Sequence, residues 1–582
     1  MNPVPLREML RSLALFRPLD DTALAGLEHE LQYFALPGGA LLFEQDEPSD
    51  ALYLLRSGSL GAFRREGDGP ARLIGIVSAG ETVGEVGLML DMPRNATARA
   101  LRDSELLRLS RSAFEGLVER HPRAMLEMAR HALRRMNTRD GGKPHATPRT
   151  LAILPHDDGV DARAFAASLV EALHPFGTTR VVDADEGRGR LSSWFSELEE
   201  GSDFILYIGE GDAEWQALCA RQADALLLLA NAAGTPTAWP PVVCADATGV
   251  LARRCQLVLR HPPNLIDGAA RRWLAFTPGL DHHHVRDAGD VRRLARLLTG
   301  RSLGLVLSGG GARGFAQIGV VRALREAGME IDCVGGTSIG LIIGAGVALQ
   351  WSDEEMLENY RRAFVAGRPL ADYTLPLVAL TRGARVARLL REQFGPRDIT
   401  DLPLPFYCCS ANLSSGRLDS HRDGPLWMWL RASCAIPGVL PPLLHRGEVH
   451  VDGAVINNLP TDVMAAHHAG AIAAIDIGAG DVLHATAEEH ATPTWWRQLL
   501  ERGSGRRPGI FDILVRSGMV NAERASDERR ALATVLLSPP VRETGLLDWR
   551  AYERTVEAGY HYGLRVIGGQ KDRLHEQPPL AL

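Results

Sequence analysis

The spacing of apolar residues changes along the chain, and each change predicts a different kind of structure. From Leu36 to Leu109, apolar runs of four to six residues are separated by glycine turns. Strands of that length at about 8–12-residue spacing predict a small antiparallel barrel or roll. Apolar residues at helical spacing precede this region over Leu13–Leu31 and follow it over Ser110–Met136, so a helix is expected on each side.

A second pattern begins after Asn137–Pro148, a segment of glycine, proline, threonine and basic residues that predicts a linker. Apolar runs at Thr150–Pro155, Phe204–Ile208 and Ala225–Ala230 predict buried strands, and helical patterns separate them. This alternation predicts an α/β layer around a parallel sheet. The region, residues 149–300, has no Gly-Lys-Ser phosphate-binding signature, so no nucleotide is assigned to it.

The last region contains two strand–turn–helix units that follow each other closely. The strand Leu303–Leu307 leads into the glycine loop Gly309–Gly314, and the strand Asp332–Val334 leads into the turn Gly336–Gly340. Each turn is followed by a helical pattern. One unit offers backbone donors and the other offers a hydroxyl, and together they resemble the two halves of an acyl-transfer site.

Length and composition support a division into domains. A chain of 582 residues is too long for one core, and 45% hydrophobic with 23% charged residues is typical of a globular protein. We expect a multidomain protein with a β-roll over residues 1–140, an α/β spacer over 149–300 and an α/β domain over 301–582. In the third domain the motif core spans residues 303–465, its sheet is mostly parallel, and C-terminal helices follow.

Net charge, apolar stretches and cysteine content indicate which classes of partner and which cellular location to expect. The 64 basic and 71 acidic residues give a net charge of −7, whereas nucleic-acid-binding proteins usually present a basic face. No stretch approaches the roughly 18 apolar residues that cross a bilayer, and the N-terminus lacks the apolar core of a signal peptide. The seven cysteines have no zinc-site spacing. We expect a cytoplasmic protein without nucleic acid, with any membrane contact peripheral and on the inner face.

The loop Gly309–Gly314 permits two interpretations. Its glycines match the G-x-G-x-x-G pattern of a dinucleotide site, with Asp332 near the expected acidic position. Consecutive glycines can also leave backbone N–H groups free to stabilise an oxyanion. The turn Gly336–Gly340 favours the oxyanion loop, because it fits the G-x-S-x-G nucleophile elbow with Ser338 at a helix N-terminus.

A nucleophilic serine needs a base. The predicted strand Glu448–Val451 delivers Asp452, and the small residues that follow would let its carboxylate approach a serine. Two alternatives stay open: Asp452 could only cap the following turn, or a histidine could act as in a Ser-His-Asp triad. The histidines near Asp452 in sequence are His445, His450, His467 and His468. His450 is out of phase with its apolar neighbours and is expected to face solvent.

These motifs together resemble the patatin-like phospholipases, most closely the neuropathy target esterase branch. The family's three motifs occur in order at Gly309–Gly314, Gly336–Gly340 and Asp452–Ala454, and Arg431–Gly438 is also similar to that branch. The resemblance covers nearly the whole chain, because the middle region resembles the spacer of bacterial relatives. It implies a serine esterase that hydrolyses acyl esters of glycerophospholipids, often lysophospholipids.

The resemblance implies a Ser–Asp dyad without histidine. Ser338 would attack the ester carbonyl, and Asp452 would take its proton and return it to the leaving alcohol. Backbone N–H groups would form the oxyanion hole, and its residues would be Gly309, Gly310, Gly311 and Arg313. No metal and no other catalytic cofactor is implied, and His282–His284 is expected to be a solvated or hydrogen-bonded loop.

Within the N-terminal roll, Val83–Leu90 and Pro93–Thr97 resemble the phosphate-binding cassette of cyclic nucleotide-binding domains. A glycine-flanked helical turn presents N–H groups to a phosphate, and an arginine can neutralise it. Glu85 would hold the ribose and Arg94 the cyclic phosphate of cAMP or cGMP, as a regulatory ligand. The other cassette residues would be Gly84, Val86, Asn95 and Ala96. The alternative is a roll that kept the fold and binds nothing.

Further expectations concern the substrate and a rival function. Apolar stretches that could hold an acyl chain, or could simply be core, are Leu341–Leu349, Leu375–Leu380, Trp427–Trp429 and Val439–Leu444. Trp495 and Trp496 with Arg497 could anchor the protein at a lipid surface or cover the active site. The rival function is a nucleotide-sensing scaffold whose hydrolase domain is inactive.

Overall fold

The computed structural model divides the chain into two compact units. It describes residues 6–12, 16, 19–65, 67, 71–121, 147–157, 159–238, 254–276, 280–478 and 526–569. The first unit comprises Met1–Arg260 with Gly279–Asp281, and the second comprises His261–Pro278 with His282–Leu582. Most of the predicted linker and all of Trp495–Arg497 lie outside the described residues. The three domain boundaries stay predictions.

Two antiparallel sheets in the first unit form the roll that the short apolar runs predicted. Its strands are β1 Gln32–Leu36, β2 Leu41–Phe43, β3 Ala51–Ser57, β4 Ser59–Arg64, β5 Arg72–Ser78, β6 Thr82–Val83, β7 Thr97–Ala100 and β8 Ser104–Ser110. The strand orders are β1-β8-β3-β6 and β2-β7-β4-β5. Helices at Leu6–Ser12, Asp21–Glu30, Glu85–Leu90 and Arg111–Arg120 accompany them. Phe43, Leu60 and Leu106 belong to the core of the roll, and the predicted antiparallel roll is confirmed.

A parallel sheet follows in the same unit, as the alternating pattern predicted. Its strands are β9 Thr150–Pro155, β10 Thr179–Val182, β11 Phe204–Ile208, β12 Ala225–Asn231 and β13 Arg254–Arg260, in the order β10-β11-β9-β12-β13. The helices are Ala162–Leu173, Ala184–Gly187, Ser192–Gly201 and Ala213–Gln222, with a 3-10 turn at His174–Phe176. Strands β9 and β12 are buried along nearly their whole length, which is typical of a parallel sheet covered on both faces.

Ion pairs join the roll to this parallel sheet within the first unit. Arg102, from the roll, pairs with Glu199 and donates to Asp224 Oδ1 at 2.7 Å. Arg221 Nε lies 3.0 Å from Asp103 Oδ1. Because the Arg102 side chain is only 13% exposed, its two carboxylate partners offset the cost of removing the guanidinium from water.

The second unit is built around a mixed sheet of eight strands in the order β19-β20-β17-β16-β15-β21-β22, with β18 also paired to β17. The strands are β15 Leu303–Leu307, β16 Cys333–Gly336, β17 Phe406–Asn412, β18 Arg417–His421, β19 Leu443–His445, β20 Glu448–Asp452, β21 Ala471–Ile475 and β22 Val535–Leu537. Strands β15 and β16 are parallel neighbours. Their carboxyl ends therefore bring both glycine motifs to the same edge of the sheet.

Helices and short turns complete the second unit. The helices are Ala269–Leu274, Ala288–Leu298, Phe315–Glu326, Ile339–Ala348, Asp353–Tyr360, Ala384–Phe394, Leu426–Ser433, Thr461–His467, Ser526–Ala531 and Tyr552–Gly568. A π-helix spans Arg361–Ala366, and 3-10 turns occur at Gly311–Gly314, Ile399–Asp401, Gly453–Val455 and Trp549–Ala551. Across the described ranges, none of the helices combines the length and the hydropathy that a membrane crossing requires.

The histidine run His282–His284 lies in a strand, β14 (Asp281–Val285), and the predicted loop is wrong. His282 Nε2 and His284 Nε2 lie 2.9 Å and 2.8 Å from the carbonyl oxygen of Thr400. His261 Nε2 lies 2.8 Å from His284 Nδ1. Burial lowers the pKa of His261 to about 4, which keeps its ring neutral. The expectation that these histidines are hydrogen-bonded is met. Their extended backbone depends on packing against distant residues, which a local sequence pattern does not indicate.

Replacing Arg102 by Met is expected to destabilise the first unit by about 3 kcal/mol, because the carboxylates of Glu199 and Asp224 would lose the guanidinium that they share. Arg163 is the matched control, since it also pairs with two carboxylates but is exposed, and Arg163→Met should cost less than about 1 kcal/mol. Urea unfolding of the full chain measures both values. Equal losses in the two variants would contradict the role of Arg102.

Candidate active site

Ser338 occupies a strained turn between β16 and the helix Ile339–Ala348. Its backbone has φ +54° and ψ −131°, a conformation that costs a non-glycine residue about 1–3 kcal/mol. The glycines on either side make this turn possible. A Cβ on Gly336 would lie 2.2 Å from the carbonyl oxygen of Leu307, and a Cβ on Gly340 would lie 2.6 Å from it. The G-x-S-x-G pattern is therefore required by close backbone packing against the end of β15.

Asp452 stands at the end of β20 and faces the serine. The Ser338 hydroxyl donates a hydrogen bond of 2.8 Å to Asp452 Oδ2, and both residues are buried. The backbone N–H of Ala454 donates to Asp452 Oδ1 at 2.9 Å. The bond from Ala454 caps the turn that follows β20, which was the alternative role considered for Asp452. The same carboxylate therefore caps the turn and accepts the serine hydroxyl. The two residues lie 114 positions apart in sequence.

Burial sets the protonation of Asp452. Removal from water raises the pKa of its carboxyl to about 7, and the hydrogen bonds from Ala454 and Ser338 act in the opposite direction. A carboxyl group with a pKa near neutrality can both accept and return a proton, as a general base must. The geometry and the protonation of Asp452 therefore suit a base for Ser338.

The loop after β15 lies directly against the serine, and a Cβ on Gly309 would come 3.0 Å from Ser338 Cβ. The Gly309 N–H donates to Asn458 Oδ1 at 3.0 Å, and Asn458 Nδ2 donates back to the Gly309 carbonyl at 3.3 Å. This N–H, expected as an oxyanion donor, is therefore engaged. The N–H groups of Gly310 and Gly311 donate to no acceptor within the described ranges. These two remain suited to the oxyanion role.

The C-terminal segment supports this loop. Gly311 has φ +57°, and a Cβ there would lie 2.2 Å from the carbonyl oxygen of Leu546. Ala312 N–H donates to the same oxygen at 2.8 Å, and Arg313 Nε donates to the carbonyl of Thr544 at 2.8 Å. The Arg313 side chain thus fixes the loop from outside. No sequence signal marked residues 544–546, because their contribution is backbone carbonyls.

The dinucleotide interpretation fails on Asp332. Its carboxylate is completely buried and accepts hydrogen bonds from Arg296 at 2.7 Å and from the backbone N–H of Leu303 at 2.9 Å. It is therefore occupied in holding the start of β15 and is unavailable to a ribose hydroxyl. The glycine loop instead faces the serine turn.

His450 is buried, and the prediction that it faces solvent is wrong. Its Nδ1 lies 3.1 Å from Ser410 Oγ, and carboxylate oxygens of Asp419 and Glu448 each lie 3.7 Å from a ring nitrogen. The ring packs edge-on against Trp429, because the helix Leu426–Ser433 covers this side of β20. His450 thus contacts Ser410, Asp419, Glu448 and Trp429, whereas the carboxylate that accepts the Ser338 hydroxyl belongs to Asp452.

Two residues that sequence reasoning missed hold the serine turn. Ser433 Oγ accepts a 2.9 Å hydrogen bond from the Ser338 N–H. Thr337 Oγ1 donates to the carbonyl of Asn457 at 3.0 Å, which links the turn to the segment after Asp452. Ser433 lies in Arg431–Gly438, the segment similar to the esterase branch, so its signal was present without a role attached.

The four apolar stretches that were considered as walls for an acyl chain differ in how deeply they are buried. Leu341–Leu349 is largely a buried core helix, and Val439 and Leu440 are buried. Trp429 stacks on His421 with ring centroids 3.4 Å apart. Leu375, Leu377 and Val378 are exposed, so a wall at Leu375–Leu380 is wrong. Local hydrophobicity could not distinguish an inward wall from an outward loop.

The cassette in the first unit has the expected backbone. Gly84, with φ +88°, precedes the helix Glu85–Leu90, and Glu85 is buried at its first position. Val86 is half-buried, Asn95 is exposed and Ala96 is buried. A Cβ on Gly84 would lie 2.2 Å from Arg94 Nη1. The start of the cassette helix, at Gly84, therefore lies directly against the arginine.

Arg94 is buried, and both terminal nitrogens of its guanidinium are engaged, whereas its Nε donates to no acceptor among the described residues. Nη2 donates to Asp50 Oδ1 at 2.8 Å and to the carbonyl of Ala51 at 2.9 Å, and Nη1 donates to the Gly84 carbonyl at 3.3 Å. The guanidinium also lies 4.1 Å from the ring centroid of Phe43. An incoming phosphate would have to compete with the Asp50 carboxylate for this cation.

Three family models match the chain. They are the cyclic nucleotide-binding domain over residues 34–121, the neuropathy target esterase family P-loop like domain over 147–296 and the patatin-like phospholipase over 305–465. The expected combination of domains is confirmed. The resemblance to patatin-like phospholipases of the neuropathy target esterase branch is confirmed with it.

Curated relatives match over nearly the whole chain. It is 30% identical over 96% of its length to "Lysophospholipase nte1" of Aspergillus niger, of which it covers 43%. It is 29% identical over 96% of its length to "Lysophospholipase NTE1" of Coccidioides immitis, of which it covers 41%. The chain thus spans about two fifths of these relatives' length. The solved regulatory domain of Toxoplasma gondii PKA with cAMP is 28% identical over 19% of this chain and 42% of that chain, with a TM-score of 0.19.

Asp452→Asn is expected to stabilise the folded protein at about pH 8 and to lose that advantage toward about pH 5. The protonated carboxyl contributes stability that is present below the unfolded pKa and is lost as pH rises through about 7. Melting temperatures of both proteins across this range measure the effect. The exposed Asp423→Asn is the control and should show no such trend. A wild type that gained stability over Asp452→Asn with rising pH would contradict the burial argument.

Proposed function

We propose that this chain, which carries a patatin-like phospholipase match, hydrolyses acyl esters of phospholipids or lysophospholipids through a Ser338–Asp452 dyad. The observation that carries the proposal is the 2.8 Å hydrogen bond from Ser338 Oγ to Asp452 Oδ2 at a strained turn. A hydroxyl beside a buried carboxylate of near-neutral pKa is an activated nucleophile.

In the first half-reaction Ser338 Oγ attacks the ester carbonyl as its proton moves to Asp452 Oδ2. The tetrahedral oxyanion accepts hydrogen bonds from the N–H groups of Gly310 and Gly311. Collapse of this intermediate breaks the bond to the alcohol, which takes the proton from Asp452 and leaves. The acyl group stays on Ser338 as an ester.

In the second half-reaction water replaces the alcohol. The Asp452 carboxylate takes a proton from water as the water oxygen attacks the acyl carbonyl. Collapse releases the fatty acid, and the proton on Asp452 returns to Ser338 Oγ. Each proton that Asp452 accepts is returned within the same half-reaction, so the dyad ends as it began.

The substrate class is supported by the relatives. Those named above are called lysophospholipases, and the patatin-like match includes all the groups used in the proposed mechanism. Because the chain spans about two fifths of their length, we carry over the substrate class alone. Such esters are membrane amphiphiles, so we also propose peripheral contact with a lipid surface.

We further propose that the roll binds a cyclic nucleotide and that binding changes ester hydrolysis. The family match over residues 34–121 and the cluster of Gly84, Glu85 and Arg94 support binding. Arg94 would exchange its Asp50 partner for the cyclic phosphate, and Glu85 would take the ribose. The Asp50 carboxylate then acts as an internal competitor that weakens binding.

Ser338→Ala and Asp452→Asn are each expected to lower fatty-acid release from lysophosphatidylcholine by at least about 1,000-fold, because each removes half of the dyad. His450→Gln should stay within about tenfold of wild type once its melting temperature shows a folded protein. A fluorophosphonate probe should label wild type and leave Ser338→Ala unlabelled. An active Ser338→Ala protein would reject the mechanism. An unlabelled, inactive wild type would favour the scaffold with an inactive hydrolase domain.

Asp50→Ala is expected to tighten cAMP or cGMP binding by about tenfold, because the phosphate no longer displaces a charged partner of Arg94. Asp91→Asn is the control, since Asp91 is exposed and pairs with Arg111, and its affinity should match wild type. Calorimetric titration of the full chain measures both. Unchanged affinity in Asp50→Ala would contradict the competition, and equal ester turnover with saturating nucleotide bound would reject regulation.

A further inference from the structure

One surface loop of the second unit exposes an unusual run of apolar side chains. Tyr373 is 77% exposed, Leu375 72%, Leu377 83% and Val378 69%. Single exposed apolar residues are common on proteins, whereas a contiguous group of this kind marks a surface that meets another apolar phase. We call Tyr373–Val378 the apolar tip.

Hydrogen bonds across its base hold the loop in shape. Tyr373 and Thr381 form an antiparallel bridge, and Thr374 N–H donates to the Leu380 carbonyl at 3.0 Å. Arg382 N–H donates to the Asp372 carbonyl at 2.9 Å. The base of the loop is thus held by backbone hydrogen bonds while the apolar side chains of the tip are exposed.

The loop is attached to the segment that carries the serine turn. Leu380 N–H donates to the Gly438 carbonyl at 2.9 Å, and Thr381 N–H donates to the Val439 carbonyl at 3.1 Å. Gly438 follows Ser433, the residue that holds the Ser338 N–H, by five positions. The base of the loop is therefore hydrogen-bonded to the segment that follows the serine-turn contact of Ser433.

The charges around the loop identify the kind of partner. No charged residue occurs from Tyr373 to Thr381, and exposed arginines, Arg368 and Arg382, stand at the base. Asp372 Oδ2 accepts the N–H of Arg385 at 3.0 Å, and Asp372 Oδ1 is buried, so this acid faces into the protein. An apolar tip above a basic base complements acyl chains below anionic headgroups.

We propose that the apolar tip inserts into a lipid surface, with Arg368 and Arg382 at the level of the phosphates, and so holds the mouth of the Ser338 site against the membrane. This inference rests on the proposed ester hydrolysis and names the surface that presents it to its substrate. Insertion of an interfacial segment by about 5–10 Å is sufficient to bury side chains of this size. A loop joined to the segment that holds the serine turn would let a lipid pass from the membrane toward Ser338 without crossing water.

Co-sedimentation of the full chain with vesicles of phosphatidylcholine and phosphatidylglycerol tests this proposal. Leu377→Asp with Val378→Asp should weaken vesicle binding by at least about tenfold, since two apolar contacts become charges in the lipid. Leu191→Asp is the matched control, because Leu191 is 71% exposed in the first unit, and it should bind as wild type does. Arg382→Ala should weaken binding only where phosphatidylglycerol is present.

Turnover of two kinds of ester distinguishes the proposed lipid-binding surface from the proposed ester hydrolysis. The double variant should lose hydrolysis of vesicle-borne lysophospholipid in proportion to binding and keep wild-type turnover of a short water-soluble ester. If no protein cleaves either ester but the double variant alone leaves the vesicles, the proposed function fails and the lipid-binding surface stands. A wild type that does not bind vesicles, or a double variant that binds them equally, overturns the surface. If the wild type is a dimer that does not bind vesicles, and the double variant is a monomer, the apolar tip contacts a second copy of the chain. This outcome also overturns the proposed lipid-binding surface.

Discussion

The hydrogen bond between Ser338 and Asp452 depends on a carboxyl group held away from water, and much of the second unit maintains that condition. Asp452 ends β20 opposite Ser410, inside the mixed sheet. Among the described residues, its carboxylate receives the Ala454 N–H and the Ser338 hydroxyl as its donors. With so few donors, burial dominates and raises the pKa to about 7. A wetter site would hold a weaker base, so the packing that excludes water is part of the proposed chemistry.

The strained backbone of Ser338 costs free energy in addition to the burial of Asp452, and contacts around the turn offset this strain. The Ser338 turn is held by its N–H bond to Ser433 and by the close fit of Gly336 and Gly340 against β15. The facing glycine loop is fixed by Asn458, which bonds both sides of the Gly309 peptide. This clamp leaves the next N–H groups as the donors. Preorganised donors need no rearrangement when charge develops on the substrate.

Buried charge is handled differently in the first unit. Arg94 is as buried as Asp452, but it receives a carboxylate from Asp50, two carbonyls and the face of Phe43. A buried cation that is paired with a carboxylate is stable without a ligand, whereas a buried carboxylate with few donors has a raised pKa. The same physical rule therefore leaves a carboxyl group of near-neutral pKa in one unit and, in the other, an arginine whose charge is already compensated.

Periodicity and glycine patterns by themselves determined the antiparallel roll, the parallel layer and the two strand–turn–helix units, because these features depend on residues within a few positions. They also predicted the pair Ser338 and Asp452, whose side chains the structure brings within 2.8 Å, since the nucleophile turn and the strand-end acid have local signatures. Only the tertiary structure decided the burial of His450, the engagement of Gly309 by Asn458 and the outward position of Leu377. Each of these depends on contacts with distant parts of the chain, and no local pattern of hydrophobicity encodes which neighbour will cover a given side chain or occupy a given donor.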